Sequence, residues 1–319
     1  MLGILAIVAT TAVGVLFFMH FWPRVAARTL IGAARLAVGV SRKEVKVEGF
    51  RLVYLEGGQG APLILLHGLG ADKDNFLLVA RSLGKRFRLI VLDLPGFGES
   101  DKPPDQSYAI SEQVRRLHAF SRALGIERFH LGGNSMGGFI AAAYAAEHPE
   151  DVETLWLLAP AGVRAAKPSE LLQAVVEDKE AQILAKTPKE LRAAVSFVMH
   201  RPVYVPRFLA IYQAEQSSRN HALHRKIIRQ VLKGAWLDEL LDQRVRVPTL
   251  ILWGARDRAV HVSGAEVLRG LLRNSRVVVL ENVGHMPMLE APRRSVDAYT
   301  RFLDALHEFD SVPESIRPA

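Results

Sequence analysis

The chain has 319 residues, a formal net charge of +8 at pH 7 and no cysteine. Residues 1–43 contain five basic side chains and no acidic one, which leaves a net charge of only +3 for the rest of the chain. This balance gives no reason to expect a nucleic-acid partner, and the lack of cysteine excludes a lipid-acylated cysteine as an anchor. Neither a phosphate-binding glycine loop nor a convincing metal-ligand spacing is visible, so we expect no cofactor and no metal.

The N-terminal residues 2–22 contain no Asp, Glu, Lys or Arg. Such a stretch is long enough to cross a hydrocarbon core of about 30 Å, and we predict an uncleaved transmembrane anchor over residues 1–22. A cleaved signal peptide is the alternative, but no basic region precedes the apolar stretch and no small-residue cleavage pattern follows it. Because the basic residues follow the span, we predict a single-pass membrane protein with its main domain on the cytoplasmic face, in a bacterial inner membrane or its equivalent.

Residues 23–43 form a basic juxtamembrane segment, which we predict to be a helix or linker. Its arginines fall within about 40° of one another on a helical wheel: Arg24, Arg28, Arg35 and Arg42. Such a stripe beside apolar residues is typical of a helix that lies on an anionic lipid surface. The alternative is the ordinary charged face of a linker, in which Gly32 and Gly39 weaken the helix.

Beyond residue 44, short apolar runs alternate with stretches of helical periodicity. The predicted strands are residues 45–47, 51–55, 62–66, 88–92, 129–132, 154–158, 249–253 and 277–280. The predicted helices are residues 74–83, 110–124, 136–147, 263–272 and 292–308. This order indicates an α/β fold with a mostly parallel eight-stranded sheet and helices on both faces. The first two strands, joined by a turn at Gly49, are predicted to be an antiparallel edge hairpin.

Residues 163–243 interrupt the alternation and contain only helical patterns, at residues 169–185, 188–199 and 221–241. We predict that this insertion forms a helical cap over the strand ends. The core is then formed by residues 44–162 and 244–308, and residues 309–319 form a flexible tail. Four side chains of the cap are candidates for an acyl-chain pocket, although packing within the cap is the alternative for each: Phe197, Met199, Phe208 and Tyr212.

The segment that follows the strand at 129–132 has the pattern of a nucleophile elbow. Ser135 is flanked two residues away by Gly133 and Gly137, between a strand and an alanine-rich helix. The serine backbone must adopt a strained conformation to expose its hydroxyl. The glycines lack the Cβ atoms that would collide in such a turn.

A serine hydroxyl needs a base that is itself oriented by an acid. In this architecture the chain order is serine, acid, histidine. Asp257 follows the strand at 249–253 and His285 follows the strand at 277–280. The carboxyl ends of neighbouring strands converge in open α/β sheets. We therefore predict Ser135 as nucleophile, Asp257 as orienting acid and His285 as general base and acid.

Asp93 is a rival for the acid because it also ends a strand. It precedes the serine, however, and opens the turn at 93–98, where an aspartate usually bonds the local backbone. Asp257 is therefore favoured.

Catalysis also requires hydrogen-bond donors for the developing oxyanion. One is the backbone N–H of Met136, the residue after the nucleophile. We assign the second to Leu69 in the loop at 67–70, where Gly68 lets the chain turn close to the substrate. His67 in the same loop is interpreted as a structural residue.

These motifs together resemble the α/β-hydrolase superfamily. They are His67-Gly68-Leu69-Gly70, Asp93-Leu94-Pro95-Gly96-Phe97-Gly98-Glu99-Ser100, Gly133-Asn134-Ser135-Met136-Gly137-Gly138, Trp253-Gly254-Ala255-Arg256-Asp257 and Gly284-His285. A narrower resemblance, to membrane-anchored monoacylglycerol lipases of the α/β-hydrolase-domain type, rests on the N-terminal span, Ala159-Pro160-Ala161-Gly162 and Met288-Leu289-Glu290-Ala291-Pro292. The resemblance implies the same triad, with Leu69 and Met136 as oxyanion donors.

We therefore expect a membrane-anchored serine ester hydrolase that cleaves acylglycerols, with monoacylglycerols ahead of triacylglycerols and short-chain esters. A carbon–carbon bond hydrolase of ring-cleavage products is an alternative, because the motif at 133–138 also resembles those enzymes. They typically carry tryptophan directly after the histidine, where this chain has Met286. A non-catalytic membrane-tethered binding protein on a degenerate hydrolase fold is a further alternative.

Overall fold

The structure is a computed structural model that describes residues 17–177, 183–241 and 245–311. Eight strands form one sheet: β1 (Val40–Val47), β2 (Phe50–Gly57), β3 (Ala61–Leu66), β4 (Phe87–Leu92), β5 (Phe129–Asn134), β6 (Val152–Leu158), β7 (Thr249–Gly254) and β8 (Ser275–Leu280). Their spatial order is β1-β2-β4-β3-β5-β6-β7-β8. β2 pairs antiparallel with β1 and β4, and the remaining pairs are parallel. The mostly parallel eight-stranded sheet and the antiparallel edge hairpin are confirmed.

The helices follow the strands in the predicted alternation. They are α1 (Pro23–Ala37), α2 (Leu77–Leu83), α3 (Ile110–Ala123), α4 (Met136–Glu147), α5 (Glu170–Val176), α6 (Pro188–Val198), α7 (Arg207–Arg219), α8 (His221–Lys233), α9 (Leu237–Leu240), α10 (Gly264–Leu271), α11 (Pro287–Glu290) and α12 (Pro292–Ser311). Short 3₁₀ turns lie at Lys73–Phe76 and Pro149–Asp151.

The side chains of the central strands alternate between two buried clusters, one on each face of the sheet. In β3, Ile64 belongs to one cluster and Leu65 to the other, as the two-residue period of a strand requires. Helices α3, α4 and α10 contribute to the first cluster, and α2 and α12 contribute to the second. Both faces of the sheet are therefore covered, so its strands are apolar on both sides.

The insertion between β6 and β7 is helical, but its elements differ from the predicted ones. The predicted helix at 221–241 is two helices, because the chain at Gly234 leaves the helical conformation with an extended ψ of 179°. The predicted helix at 169–185 begins as α5, its residues 178–182 lie outside the described residues, and residues 183–185 are not helical. Helix α7 was missed, because its polar face interrupts the apolar periodicity from which helices are predicted.

The predicted stripe of four arginines on one helix is wrong at Arg42, whereas Arg24, Arg28 and Arg35 lie on α1 as predicted. Arg42 lies in strand β1 rather than on a helix, and three of the four arginines bind carboxylates of the same chain. Arg24 pairs with Glu215 of α7 at 2.6 Å, whereas Arg35 and Arg42 both contact Glu99. A helical wheel cannot reveal such partners, because they are distant in the sequence.

Within the described ranges, no helix is both long enough and apolar enough to cross a membrane. Most of the predicted anchor, residues 1–16, lies outside the described residues, as do residues 312–319 of the predicted tail. The last helix continues to Ser311, beyond its predicted end at residue 308.

Candidate active site

Ser135 forms the sharp turn between β5 and α4, with φ 55° and ψ −119°. A non-glycine residue persists in this conformation only where the surroundings hold it. The backbone N–H of Ser135 donates to the carbonyl oxygen of Leu158 at 3.1 Å, and its own carbonyl accepts from the N–H of Ala161 at 3.0 Å. Neighbouring strand β6 and the chain after it therefore hold the strained turn in place.

The glycines around the turn allow close backbone packing. A Cβ atom on Gly133 would lie 2.3 Å from the carbonyl of Gly137, and one on Gly137 would lie 2.3 Å from the carbonyl oxygen of Leu66. Gly68 would place a Cβ atom 3.1 Å from that of Ser135. Side chains at the first two positions would overlap backbone atoms, so these positions require glycine.

The His285 ring is oriented by a buried carboxylate. His285 Nδ1 lies 2.8 Å from Asp257 Oδ2, and the Asp257 side chain is fully buried. The other oxygen, Oδ1, accepts the N–H groups of Ala259 and Val260 at 2.8 and 2.9 Å. An ionised Asp257 can only accept, so His285 Nδ1 carries the proton and Nε2 presents a lone pair.

Two residues that position this site were missed in the sequence. The first is Asn134, whose side-chain nitrogen donates to the carbonyl oxygens of Leu158 and His285, both at 3.0 Å. It thereby links the loop of the histidine to the turn of the serine. Only its position beside Ser135 in the sequence could have signalled this role.

The second is Glu290 at the end of α11. Its Oε1 accepts the N–H of Gly284 at 2.9 Å, and its Oε2 accepts the N–H groups of His200 and Arg201 at 2.8 and 3.0 Å. The N–H of His285 itself donates to the carbonyl of Val198 at 2.7 Å. These hydrogen bonds therefore hold the loop that contains Gly284 and His285 against the end of α6.

Ser135 and His285 line one cavity of about 780 Å³ that extends beneath the helices of the insertion. Gly68 and Leu69 line it as well. Asp257 does not reach the cavity but lies behind the imidazole. The structure thus brings the predicted nucleophile and base to a shared cavity, with the predicted acid bonded to the base.

The two predicted oxyanion donors leave neighbouring strands. Leu69 follows β3 and Met136 opens α4 after β5, and Leu66 of β3 pairs with Gly133 of β5. Among the described residues, neither N–H has a hydrogen-bond acceptor. Neither N–H is therefore used within the described structure, and the N-terminus of α4 adds a partial positive charge beside Ser135.

Asp93, the rival for the acid, and His67 of the loop at 67–70 both have structural partners. Asp93 is fully buried and accepts the backbone N–H and the ammonium of Lys73 at 2.8 and 2.7 Å. His67 is also fully buried, and its Nε2 accepts the N–H of Leu94 at 3.1 Å. Burial lowers the pKa of His67, which keeps the ring neutral. Neither residue reaches the cavity.

Of the four predicted pocket residues, Met199 and Tyr212 line the cavity and the other two do not. Phe197 is buried beneath the Arg258 guanidinium, whose carbon lies 4.9 Å from the ring centroid. Phe208 packs against Ala26 and Ala27 of α1. The predictions for Phe197 and Phe208 are therefore wrong, because composition does not determine which face of a helix turns toward a cavity.

One cluster elsewhere has metal-ligand chemistry. The ligand atoms of His118, His148 and Asp151 lie within 4.8 Å of one another. Both oxygens of Asp151 already have partners, however: Arg122 at 2.5 Å and the Tyr144 hydroxyl at 2.6 Å. A guanidinium on the only carboxylate opposes a bound cation, so these residues fit a metal poorly.

Comparisons with known proteins agree with this architecture. A family model described as the alpha/beta hydrolase fold matches residues 61–292. Lipase 1 of Psychrobacter immobilis is 36% identical over 263 residues, which cover 81% of this chain and 82% of that protein. Monoacylglycerol lipase ABHD6 of Bos taurus is 30% identical over 319 residues, covering 95% of this chain and 94% of that protein. The crystal structure of a membrane phospholipase A, described as a bacterial virulence factor, has a TM-score of 0.86 and 39% identity over 96% of this chain and 98% of its own.

Proposed function

The chain belongs to the α/β-hydrolase family and is a carboxylic ester hydrolase, and on that premise we propose that it cleaves acylglycerols at a membrane through a Ser135–His285–Asp257 triad. Monoacylglycerols are the proposed main substrates. The observation that carries the proposal is the His285–Asp257 hydrogen bond of 2.8 Å beside a cavity that also contains Ser135. The names of the relatives support the lipid-ester substrate.

In the proposed mechanism, the Ser135 hydroxyl attacks the ester carbonyl while His285 Nε2 takes its proton. The negative charge of Asp257 stabilises the resulting imidazolium. The N–H groups of Leu69 and Met136 bind the oxyanion. The alcohol leaves with the proton from His285, and an acyl group remains on Ser135. Water, deprotonated by His285, then attacks the acyl group and releases the fatty acid.

The acyl chain is proposed to lie along α6. Four residues of that helix line the cavity at the spacing of a single helical face: Leu191, Ala194, Val195 and Val198. Met286 and Leu289 line the cavity near the histidine loop. These side chains supply an apolar wall of the kind that binds hydrocarbon.

The helical insertion is proposed to act as the cap, and residues 1–22 as the membrane anchor with the core on the cytoplasmic face. Helices α6 and α7 contribute residues to the cavity above Ser135, which supports the first assignment. Phe17, Phe21 and Trp22 are each more than half exposed, which supports the second, because aromatic residues concentrate at membrane interfaces. We propose the same domain boundaries as the sequence predicted, with the core at residues 44–162 and 244–308 and the cap at residues 163–243.

The proposal is tested by measuring hydrolysis by the detergent-solubilised full chain. The substrates are monoacylglycerols and triacylglycerols, p-nitrophenyl esters of graded chain length, and a ring-cleavage dienoate. We expect monoacylglycerols to be preferred and Ser135→Ala to lower kcat by several orders of magnitude. Preference for the dienoate would instead identify a carbon–carbon hydrolase.

The matched control is Ser111→Ala, because Ser111 is exposed on α3. A fluorophosphonate should label the wild type and Ser111→Ala but not Ser135→Ala. Equal turnover by a folded Ser135→Ala variant would exclude Ser135 as the nucleophile. A wild-type chain that neither reacts with the fluorophosphonate nor cleaves any ester would be a binding protein.

A further inference from the structure

The loop between β3 and the 3₁₀ turn at Lys73–Phe76 carries Leu69, one of the two proposed oxyanion donors, and passes close to the nucleophile. A Cβ atom on Gly68 would lie only 3.1 Å from the Cβ atom of Ser135. The N–H of Ala71 donates to the carbonyl oxygen of Gly68 at 3.3 Å, which closes a turn around Leu69. An oxyanion donor must lie about 2.7–3.1 Å from the oxygen atom that it stabilises. The position of this loop therefore decides how well Leu69 can act.

The far end of the loop is held by buried charges. Asp93 accepts the backbone N–H and the ammonium of Lys73, and the same ammonium donates to Glu99 at 2.9 Å. The backbone N–H of Glu99 donates in turn to Asp93 at 2.7 Å. These hydrogen bonds form a closed network of three residues, so a displacement of Glu99 would also displace Lys73 and the loop that ends there.

Four carboxylates surround the single ammonium of Lys73. They belong to Asp72, Asp74, Asp93 and Glu99. Carboxylates that lie this close together repel one another unless positive charges lie between them. The geometry at the end of the loop therefore depends on further cations.

Arg35 supplies positive charge to this cluster from helix α1. Its guanidinium binds Asp74 through two hydrogen bonds of 2.7 Å and donates to Glu99 at 2.8 Å. Arg42 of β1 binds the other carboxylate oxygen of Glu99 at 2.6 Å. A bidentate pair between arginine and a carboxylate fixes geometry as well as charge. The segment that precedes the core thus holds two of the four carboxylates around Lys73.

We propose that Arg35 is a positioning residue for catalysis, which holds Asp74 and Glu99 around Lys73 and thereby keeps the Leu69 N–H in place for the oxyanion. The inference rests on the proposed function, since it takes Leu69 as an oxyanion donor and Ser135 as the nucleophile. It adds a role for α1, which then supports the transition state in addition to linking the core to the proposed anchor.

The test begins with steady-state hydrolysis of a soluble p-nitrophenyl ester by the detergent-solubilised full chain. Arg35→Gln should lower kcat about tenfold and change KM less than about twofold, because the oxyanion exists only in the transition state. The loss should be smaller than the roughly 10²–10³-fold loss that follows removal of an oxyanion donor, since Leu69 is displaced and not removed. Arg35→Lys keeps the charge without the bidentate geometry, so its kcat should lie between those of Arg35→Gln and the wild type.

A trifluoromethyl ketone with the acyl chain of the ester distinguishes positioning from a general loss of structure. The Ser135 oxygen adds to the ketone carbon, its proton passes to His285, and the carbonyl electron pair becomes an oxyanion. In Arg35→Gln, Ki should rise by the same factor as kcat/KM falls, because the adduct resembles the transition state. Partial unfolding would instead reduce the number of active sites, which titration with a fluorophosphonate counts, and would leave Ki of the remaining sites unchanged.

The matched control is Arg24→Gln on the same helix. It removes an equal charge from the exposed pair with Glu215 and should leave kcat and Ki unchanged. Asp74→Asn removes the partner of Arg35 in the loop and should also lower kcat. The double variant of Arg35→Gln and Asp74→Asn should lose no more than Arg35→Gln alone, because both changes disrupt one contact.

The outcomes separate the positioning role from the proposed function. If Arg35→Gln does not fold, Arg35→Lys and Asp74→Asn provide the same comparison of kcat with Ki. An unchanged kcat, a lower kcat with an unchanged Ki, or additive losses in the double variant would overturn the role of Arg35. A wild type that cleaves no ester would instead overturn the proposed function.

Discussion

At His285, a single hydrogen bond decides which ring nitrogen is free to accept a proton. Asp257 Oδ2 lies 2.8 Å from Nδ1, so the proton resides there and Nε2 keeps its lone pair, in a residue that lines the cavity. Asp257→Asn offers an amide that can present its NH₂ group to Nδ1 and stabilise the wrong tautomer. We expect kcat to fall by about 10⁴ with little change in KM, a loss of the size known from a serine protease triad.

The measurement is steady-state hydrolysis of a soluble p-nitrophenyl ester, with Asp297→Asn as control. Asp297 is exposed on α12 and does not line the cavity. A loss of less than tenfold in a folded Asp257→Asn variant would contradict the role of Asp257.

Because His224 is buried, we expect the free energy of unfolding to depend on pH in a specific way. Its folded-state pKa is lowered to about 4 by burial, with further contributions from nearby Lys102 and His67, whereas an unfolded histidine titrates near pH 6.5, as is typical. Below pH 6.5 the unfolded chain therefore binds more protons at this residue. The corresponding contribution to the free energy of unfolding is about 3 kcal/mol by linkage. It is fully present above pH 6.5 and is lost as the pH falls to about 4.

We expect the free energy of unfolding to fall more steeply between pH 7 and pH 4 in the wild type than in His224→Gln. Denaturant unfolding at several pH values measures both slopes. His200→Gln, at an exposed position, should retain the wild-type slope. Parallel pH profiles for wild type and His224→Gln would show that His224 titrates normally in the folded protein.

At the scale of elements, helix α1 is attached to the core by charge as well as by packing. Arg35 binds Asp74 and Glu99 at 2.7 and 2.8 Å, and its side chain is 14% exposed. Burial alone would raise the pKa of Glu99, but hydrogen bonds and charges from Lys73, Arg42 and Arg35 lower it. The same helix also carries Arg24, whose exposed pair with Glu215 is a natural comparison.

Arg35→Gln should reduce the free energy of unfolding by about 2 kcal/mol, because the charged hydrogen bonds to Asp74 and Glu99 are lost, although Glu99 keeps Lys73 and Arg42 as partners. Arg24→Gln should cost no more than about 1 kcal/mol, since exposed ion pairs contribute little. Urea unfolding of the two variants provides the comparison. Equal losses would mean that the partly buried network does not hold α1 in place.

For the whole molecule, we predict that the core folds and acts without the proposed anchor. Deletion of residues 1–22 removes the apolar segment together with Met19, which packs beside Ala26, Ala27 and Phe208, but it keeps the sheet and every residue that lines the cavity. We expect the shortened protein to leave the membrane fraction on cell lysis, because the hydrophobic energy of a spanning helix is lost. Its hydrolysis of soluble short-chain esters should stay within about threefold of the full chain.

Fractionation followed by activity assays tests both expectations, and the full chain with Ser111→Ala serves as the control. A shortened protein that still sediments with membranes would place membrane attachment elsewhere in the molecule. A loss of activity on soluble esters would show that the segment also supports the core.

The sequence by itself determined the strands, the hairpin at Gly49 and the turn at Ser135, because these depend on residues that are close in the chain. A strand that is buried on both faces is a short run of apolar residues, and a strained turn requires glycines at short distances, so both are visible locally. The order of Ser135, Asp257 and His285 could also be predicted, since each follows a strand and parallel strands end at the same edge.

Only the tertiary structure decided which residues meet across the helical insertion. Phe197 and Phe208 turn away from the cavity, and the predicted stripe is divided among separate partners such as Glu99. The rotation of each helix depends on contacts with residues far along the chain, which periodicity does not encode. His224 Nδ1 is buried and has no hydrogen-bond partner among the residues that the structure describes. This was equally invisible in the sequence, because a missing hydrogen bond is a property of the packed interior.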